Sequence, residues 1–212
     1  MRQPCSGVIL AGGLSTRYAG ENKAFLRVGG MRILDRLFAV YGELFDEIIL
    51  VTNNPGEFLN WDALIVTDIF PVRSSLTGIH AGLFYARHPF AFFSGCDTPF
   101  LKKEVVETVL DSLEPGIDLV IPQTSAGLEP LCAAYSQRCL KAAEEHILQN
   151  KFKIQMALSG KRIKKIPEDV LRQKDPQLRS FFNVNSPEDL ARAERIVKSE
   201  MKRGAEKTEF YI

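Results

Sequence analysis

Gly12 and Gly13 follow the apolar run Val8 to Leu10 and are themselves followed by Arg17 and, six residues later, Lys23. Those residue types suit a polyphosphate. A glycine pair turns the backbone through φ values that other residues avoid and leaves amide groups free to meet an anion. Arginine offers phosphate oxygens a planar fork of donors, and lysine adds a mobile point charge. Two better-known phosphate loops do not fit. The Walker pattern places its lysine after glycine and before Ser or Thr, whereas Lys23 lies between Asn22 and Ala24. The dinucleotide fingerprint opens a helix at once, whereas here a polar stretch runs on to Gly20. The remaining alternative is a solvated surface loop after an edge strand.

Other polar groups close apolar runs further along. Asp97 lies in Gly95-Cys96-Asp97-Thr98-Pro99-Phe100, directly beyond Ala91-Phe92-Phe93. Magnesium takes one or two carboxylates and completes its shell with phosphate oxygens and water, so Asp97 is a candidate metal ligand. It is equally placed to cap a helix beginning after Pro99. Asp68 follows Ile65-Val66-Thr67 and precedes Pro71, as a ligand group or a turn aspartate. Asn53 ends the run Ile48 to Val51 within Asn53-Asn54-Pro55-Gly56, which turn chemistry alone would select. Gly78, in Ser75-Leu76-Thr77-Gly78-Ile79, marks either a close approach of ligand to helix or a tolerated helix glycine. Asn183 and Asn185 flank Val184, and in an extended segment alternate side chains share one face. Ser186, Pro187 and Asp189 form a helix start with a partial capping box, which does not require the two asparagines.

Composition removes several classes of function. Lys and Arg number 27 against 26 Asp and Glu, so the net charge of +1 gives no general attraction to nucleic acid or an anionic membrane. Cys5, Cys96, Cys132 and Cys139 have no C-x-x-C spacing, and His80, His88 and His146 are scattered, so no zinc signature exists. Cysteines within apolar runs, with no signal peptide and no apolar stretch near twenty residues, lead to the expectation of a reduced, cytoplasmic protein.

The elements that must position these groups alternate in kind. Short apolar runs at Val8 to Leu10, Ile48 to Val51, Leu64 to Val66, Phe90 to Phe93, Leu119 to Ile121, Leu131 to Tyr135 and Phe181 to Val184 predict strands. Helical spacing spans Ile33 to Tyr41, Leu76 to Ala86, Val105 to Leu113, Leu140 to Leu148 and about Pro187 to Lys202. Residues 150 to 178 are basic and mixed, and those beyond Lys202 form a polar tail. Such alternation predicts an α/β fold, a three-layer, doubly wound and mostly parallel sheet, in one domain over residues 1–202 with a tail over 203–212. In that architecture ligands sit beyond the carboxyl ends of the strands, where the Gly12 loop, Asp68, Asp97 and Asn183 are all expected.

Leu10, Ala11, Gly12, Gly13, Ser15, Arg17, Gly20, Lys23 and Ala24 resemble, residue by residue, the signature loop of the molybdenum cofactor guanylyltransferases, within the larger Rossmann-like nucleotidyltransferase family. The family's arginine-to-lysine spacing is commonly five; here it is six, with Tyr18-Ala19 in place of one residue, and loops tolerate insertion. Gly95 to Phe100, Gly127-Leu128-Glu129-Pro130-Leu131 and Asn183-Val184-Asn185-Ser186-Pro187 are similar to further family segments, the first supplying a C-D-x-P-F pattern and the second lining the acceptor side. Ser75 stands where the family often has proline, and Glu129 where it varies. The resemblance implies transfer of GMP from GTP to molybdenum-bearing molybdopterin, with Mg²⁺ as cofactor and upstream molybdopterin-carrying proteins as conceivable donors. It implies nucleotide contacts at Leu10, Ala11, Gly12, Gly13, Lys23, Asn53, Asp68, Gly78 and Asp97. Arg17, Lys23 and Asp97 would take catalytic roles, Asp97 would hold metal, and Asn183 and Asn185 would contact the acceptor. The same fold could use CTP on molybdopterin or a sugar phosphate acceptor, although the asparagine pair speaks against the sugar. A non-catalytic nucleotide-binding regulator is the alternative outside enzymes, and the joint presence of Arg17, Lys23 and Asp97 speaks against it.

Overall fold

The computed structural model describes residues 2–12 and 22–209, with side chains as far as Met201. Strand β1 (Cys5–Leu10) leads through a small hairpin, β2 (Arg27–Val28) and β3 (Met31–Arg32), to helix α1 (Ile33–Leu44). The hairpin turns at Gly29 and Gly30, whose positive φ values of 59° and 81° suit residues without a Cβ. Next come β4 (Ile48–Val51), β5 (Leu64–Val66), α2 (Ser75–Tyr85), β6 (Phe90–Gly95) and α3 (Lys103–Asp111). The rest of the chain forms β7 (Leu119–Thr124), β8 (Gly127–Leu128), β9 (Cys132–Ser136), α4 (Leu140–Leu148), α5 (Ile154–Ala157), β10 (Ile163–Pro167), α6 (Glu168–Lys174) and α7 (Pro187–Glu209).

Among the described residues one eight-stranded sheet has the order β10-β7-β9-β6-β1-β4-β5, with β8 on β7. Strands β6, β1, β4 and β5 are parallel, and β10 is parallel to β7. Strand β9 runs antiparallel to both neighbours. Residues 125–131 are too few to form the crossover that parallel pairing with β7 would need, so the chain turns back. Successive side chains of β1 serve opposite faces. Ile9 joins a core with Leu37 of α1, Val105 of α3, Leu171 of α6 and Ala193 of α7, while Val8 joins a second core with Ile79 and Leu83 of α2. The three-layer, doubly wound, mostly parallel architecture is therefore present. No described helix is long and apolar enough to cross a membrane.

Two glycines let α2 lie unusually close to the sheet. A Cβ on Gly82 would stand 2.5 Å from Phe93 Cε1, and one on Gly78 would stand 3.2 Å from Leu10 Cδ2. This approach lays the first turns of α2 over the end of β1.

Two expected elements differ. Phe181 to Val184 is not a strand of the sheet. Leu178 adopts left-handed backbone at φ 51°, Asp175 accepts the Ser180 amide at 2.7 Å, and Arg179–Phe181 winds into a 3-10 turn. Of the extended residues that follow, Phe182 N donates back to Arg179 O at 2.9 Å and Val184 N to Asp97 O at 2.8 Å, and among the described residues no ladder forms. The last helix, expected to stop near Lys202, continues through Gly204 to Glu209; a single helix glycine costs only about 1 kcal/mol, and no proline follows to end it.

Candidate active site

Strand register gathers the site. Leu10 pairs with Val51 on one side and Gly95 on the other, and Val51 pairs with Val66, so four parallel strands end at one level. The pairing continues a residue further: Ala11 N donates to Val51 O at 2.8 Å, Thr52 N to Val66 O at 2.9 Å, and Cys96 N to Leu10 O at 3.0 Å. Gly12, Asn53, Asp68 and Asp97 consequently emerge side by side, where the chain has filled one half of the sheet from β1 outward and returns to β6 on its other side. That is the switch point at which doubly wound sheets bind ligands.

A cavity of about 270 Å³ opens there, lined in part by Leu10, Gly12, Lys23, Asp68, Gly78 and Asp97. Six residues expected from the sequence thus share one wall. Ala11 is buried behind it. Asn53 does not line the cavity; its Nδ2 donates to Asp68 Oδ2 at 2.9 Å, so it positions the carboxylate. A Cβ on Gly12 would come within 3.3 Å of the same amide nitrogen. Gly13 and Arg17, with Ser15 and Gly20, lie outside the described residues.

Lys23 opens a 3-10 turn, Lys23–Phe25, whose local chemistry fixes the base of its side chain. The Asn22 side chain accepts the Ala24 amide at 3.1 Å, Ala24 is fully buried, and the Phe25 ring stacks on Trp61 with centroids 5.7 Å apart. From this anchor Nζ donates to Asn185 Oδ1 at 2.7 Å and stands 3.7 Å from Asp97 Oδ2. Burial lifts the Asp97 carboxyl above the ordinary carboxylate range, and the Lys23 ammonium draws it partly back. A carboxylate held where burial disfavours its charge gains from a cation. Asp97 does not cap a helix: α3 starts at Lys103, and its N-cap is Lys102. Its Oδ1 folds so tightly over Gly95 that a Cβ there would lie 2.6 Å away.

Asp68 is also lifted by burial, opposed by the Asn53 hydrogen bond and the positive charge of Arg73. Arg73, Ser74 and Ser75 line the same cavity at the start of α2; Ser75 stands at the position where the family often has proline, and Arg73 and Ser74 are not marked by the sequence motifs. The available signal was Ser-x-x-Thr: Ser74 Oγ accepts the Thr77 amide at 3.1 Å while Thr77 Oγ1 accepts the Ser74 amide at 2.9 Å, a reciprocal cap. Among the described residues no group of three or more His, Cys, Asp or Glu could enclose a metal. Asp97 and Asp68 both line the cavity, and a carboxylate such as Asp97 suits an ion whose shell is completed by phosphate oxygens and water.

The asparagines divide in a way their shared face did not reveal. Both line a second cavity of about 290 Å³ that adjoins the first along Asp97 and Leu131. Asn185 nevertheless grips Lys23, so it belongs with the glycine-loop side as much as with the acceptor side. Among the described residues, Asn183 makes no such bond to Lys23, so the two asparagines, expected together on the acceptor side, have different neighbours. Ser186 and Asp189 are structural as expected, since Asp189 Oδ2 accepts the Asn185 and Ser186 amides at 3.0 and 2.9 Å. All four cysteines are buried and outside any disulfide; burial pushes Cys139 up to about 11 and Cys96 up to about 12, so neither supplies a thiolate.

Strand order and switch point define a Rossmann-like α/β fold, with a lysine beside an aspartate where its two cavities meet. The family model described as MobA-like NTP transferase domain matches residues 7–163. The chain belongs to the MobA-like NTP transferase family. It is 44% identical over 194 residues to the molybdenum cofactor guanylyltransferase of Desulfosudis oleivorans, covering 92% of this chain and 96% of the relative. The crystal structure of molybdopterin-guanine dinucleotide biosynthesis protein A from Archaeoglobus fulgidus superposes with a TM-score of 0.81 at 30% identity, covering 92% of this chain and 99% of that one. The 2-C-methyl-D-erythritol 4-phosphate cytidylyltransferase of Thermus thermophilus shares the fold, with a TM-score of 0.67 at 17% identity over 92% of this chain and all of that one (100%).

Proposed function

We infer that this enzyme transfers GMP from GTP to the terminal phosphate of molybdenum-bearing molybdopterin, within a single domain over residues 1–202. The observation that carries the reading is that Asp97 and Leu131 line two adjoining cavities, with Lys23 beside Asp97 in the first. Two substrates could thus meet at one carboxylate. The 44% identity to a named guanylyltransferase supports the choice of base and acceptor.

An oxygen of the acceptor phosphate attacks the α-phosphorus of GTP, and the bond to the bridging oxygen breaks to release pyrophosphate. The attacking group is already an anion, so the residues must position two anions and neutralise charge rather than remove a proton. Lys23, with Arg17 by its place in the loop, would hold the departing phosphates; the amides around Gly12 and Gly13 would complete the cradle. Leu10, Ala11 and Gly78 would shape the nucleotide wall, and Asn53 would fix Asp68. Asp97 would hold Mg²⁺, which when bound polarises the α-phosphate. The reading requires pyrophosphate release that depends on both GTP and molybdopterin. Equal or faster release with CTP would overturn the guanylyl assignment, and no release with any nucleotide would leave a binding protein.

The two asparagines should separate in that assay. Asn185→Ala removes a partner of Lys23, so GTP affinity should fall about threefold to tenfold together with activity, the usual cost of one hydrogen bond. Asn183→Ala should raise the KM for molybdopterin by a similar factor and leave GTP titrations unchanged. A fall in GTP affinity in Asn183→Ala as large as in Asn185→Ala would place both residues on the nucleotide side.

A further inference from the structure

The second cavity holds an acidic group that the transfer chemistry does not use. Glu129 is half-buried, lines the cavity beside Asn183 and Asn185, and forms no ion pair among the described residues. Its backbone is fixed on both sides, with N donating to Pro122 O at 3.0 Å and O accepting from Cys132 N at 3.1 Å. Thr124 Oγ1 donates to its Oε1 at 2.9 Å, which sets the plane of the carboxyl. Oε2 has no hydrogen-bond partner among the described residues. Burial raises the carboxyl above its ordinary range, with the Thr124 hydroxyl opposing. A side chain so held gains from donors brought by a ligand.

The walls around it suit a flat heterocycle. Phe181 and Pro130 supply apolar surface, while the two asparagines offer both donors and acceptors. We propose that Glu129 is a specificity-determining residue of the acceptor cavity, reading the adjacent amino and ring N–H donors on the pyrimidinone edge of a pterin. A carboxylate has about four acceptor positions, so the bond from Thr124 leaves room for a parallel pair of donors. This assignment rests on the acceptor reading above and deepens it. In this assignment Glu129 touches the substrate's recognition edge, while the reacting phosphate lies with Asp97, which lines both cavities.

The test compares pterin with lumazine, in which a carbonyl replaces the 2-amino group, by titration against the whole chain without GTP. The intact protein should prefer pterin by about tenfold to a hundredfold, the range for hydrogen bonds to a charged group. Glu129→Gln keeps an oxygen for Thr124 and the side-chain shape, and should reduce that preference at least about tenfold. GTP affinity and thermal midpoint should stay unchanged, and the KM for molybdopterin should rise in the transfer assay. A pterin preference that survives in Glu129→Gln, or is absent from the intact protein while transfer proceeds, overturns the assignment and leaves the transfer reading standing. Absence of transfer by the intact protein overturns the function reading, whatever the heterocycle preference.

Discussion

Lys23→Ala is expected to lower kcat/KM for pyrophosphate release by about a hundredfold to a thousandfold, the usual cost of removing one positioned donor to transition-state charge. The fold should remain. Ala24 and Phe25, not Lys23, anchor the turn, and among the described residues the ammonium reaches Asn185 and Asp97. Thermal melting within a few degrees of the parent would establish that the loss is chemical. Because the charge helps departing phosphates more than bound ones, kcat should fall further than GTP affinity. Full activity in Lys23→Ala would remove the lysine from the mechanism. Lys23→Arg is a stringent companion, since the wider guanidinium must fit where one ammonium now meets an amide oxygen at 2.7 Å.

Asp97→Asn is expected to abolish metal-dependent turnover, a loss on the order of a thousandfold or more, while part of the GTP affinity survives. The amide keeps the outline that packs over Gly95 and loses the charge that would hold magnesium. The variant also frees Lys23 from its counter-charge at 3.7 Å, so GTP binding through the ammonium should persist. Turnover with and without a chelator, beside a GTP titration, separates the two effects. Wild-type activity that is indifferent to chelator would remove the metal from Asp97.

Legibility followed sequence distance. Gly12, Asp68 and Asp97 could be placed because each directly follows an apolar run, and parallel register brings such ends to one level. Asn53 could be placed at a strand end but not given its task, since nothing local says that it faces Asp68. The run Phe181 to Val184 has strand-like composition, yet the buried carboxylate of Asp175 and the left-handed Leu178 decide the backbone there. The grip of Asn185 on Lys23 spans 162 residues and leaves no local trace. Period two correctly relates Asn183 to Asn185, but it cannot say which neighbour each will meet. Arg73 escaped notice because a lone arginine before a serine-led helix start has no distinguishing neighbours.

The bond from Val184 N to Asp97 O, together with that from Lys23 to Asn185, bears on the order in which the protein comes into being. A chain made from its N-terminus exposes Lys23 well before Asn185, 162 residues further on. Contacts between residues so far apart close only after the intervening loop entropy has been overcome. On the ribosome, therefore, β1, β4, β5 and β6 are made well before the side chain that grips Lys23. The lysine's partner is thus supplied after the strands that support the cavity, so this part of the site closes in one late step rather than gradually.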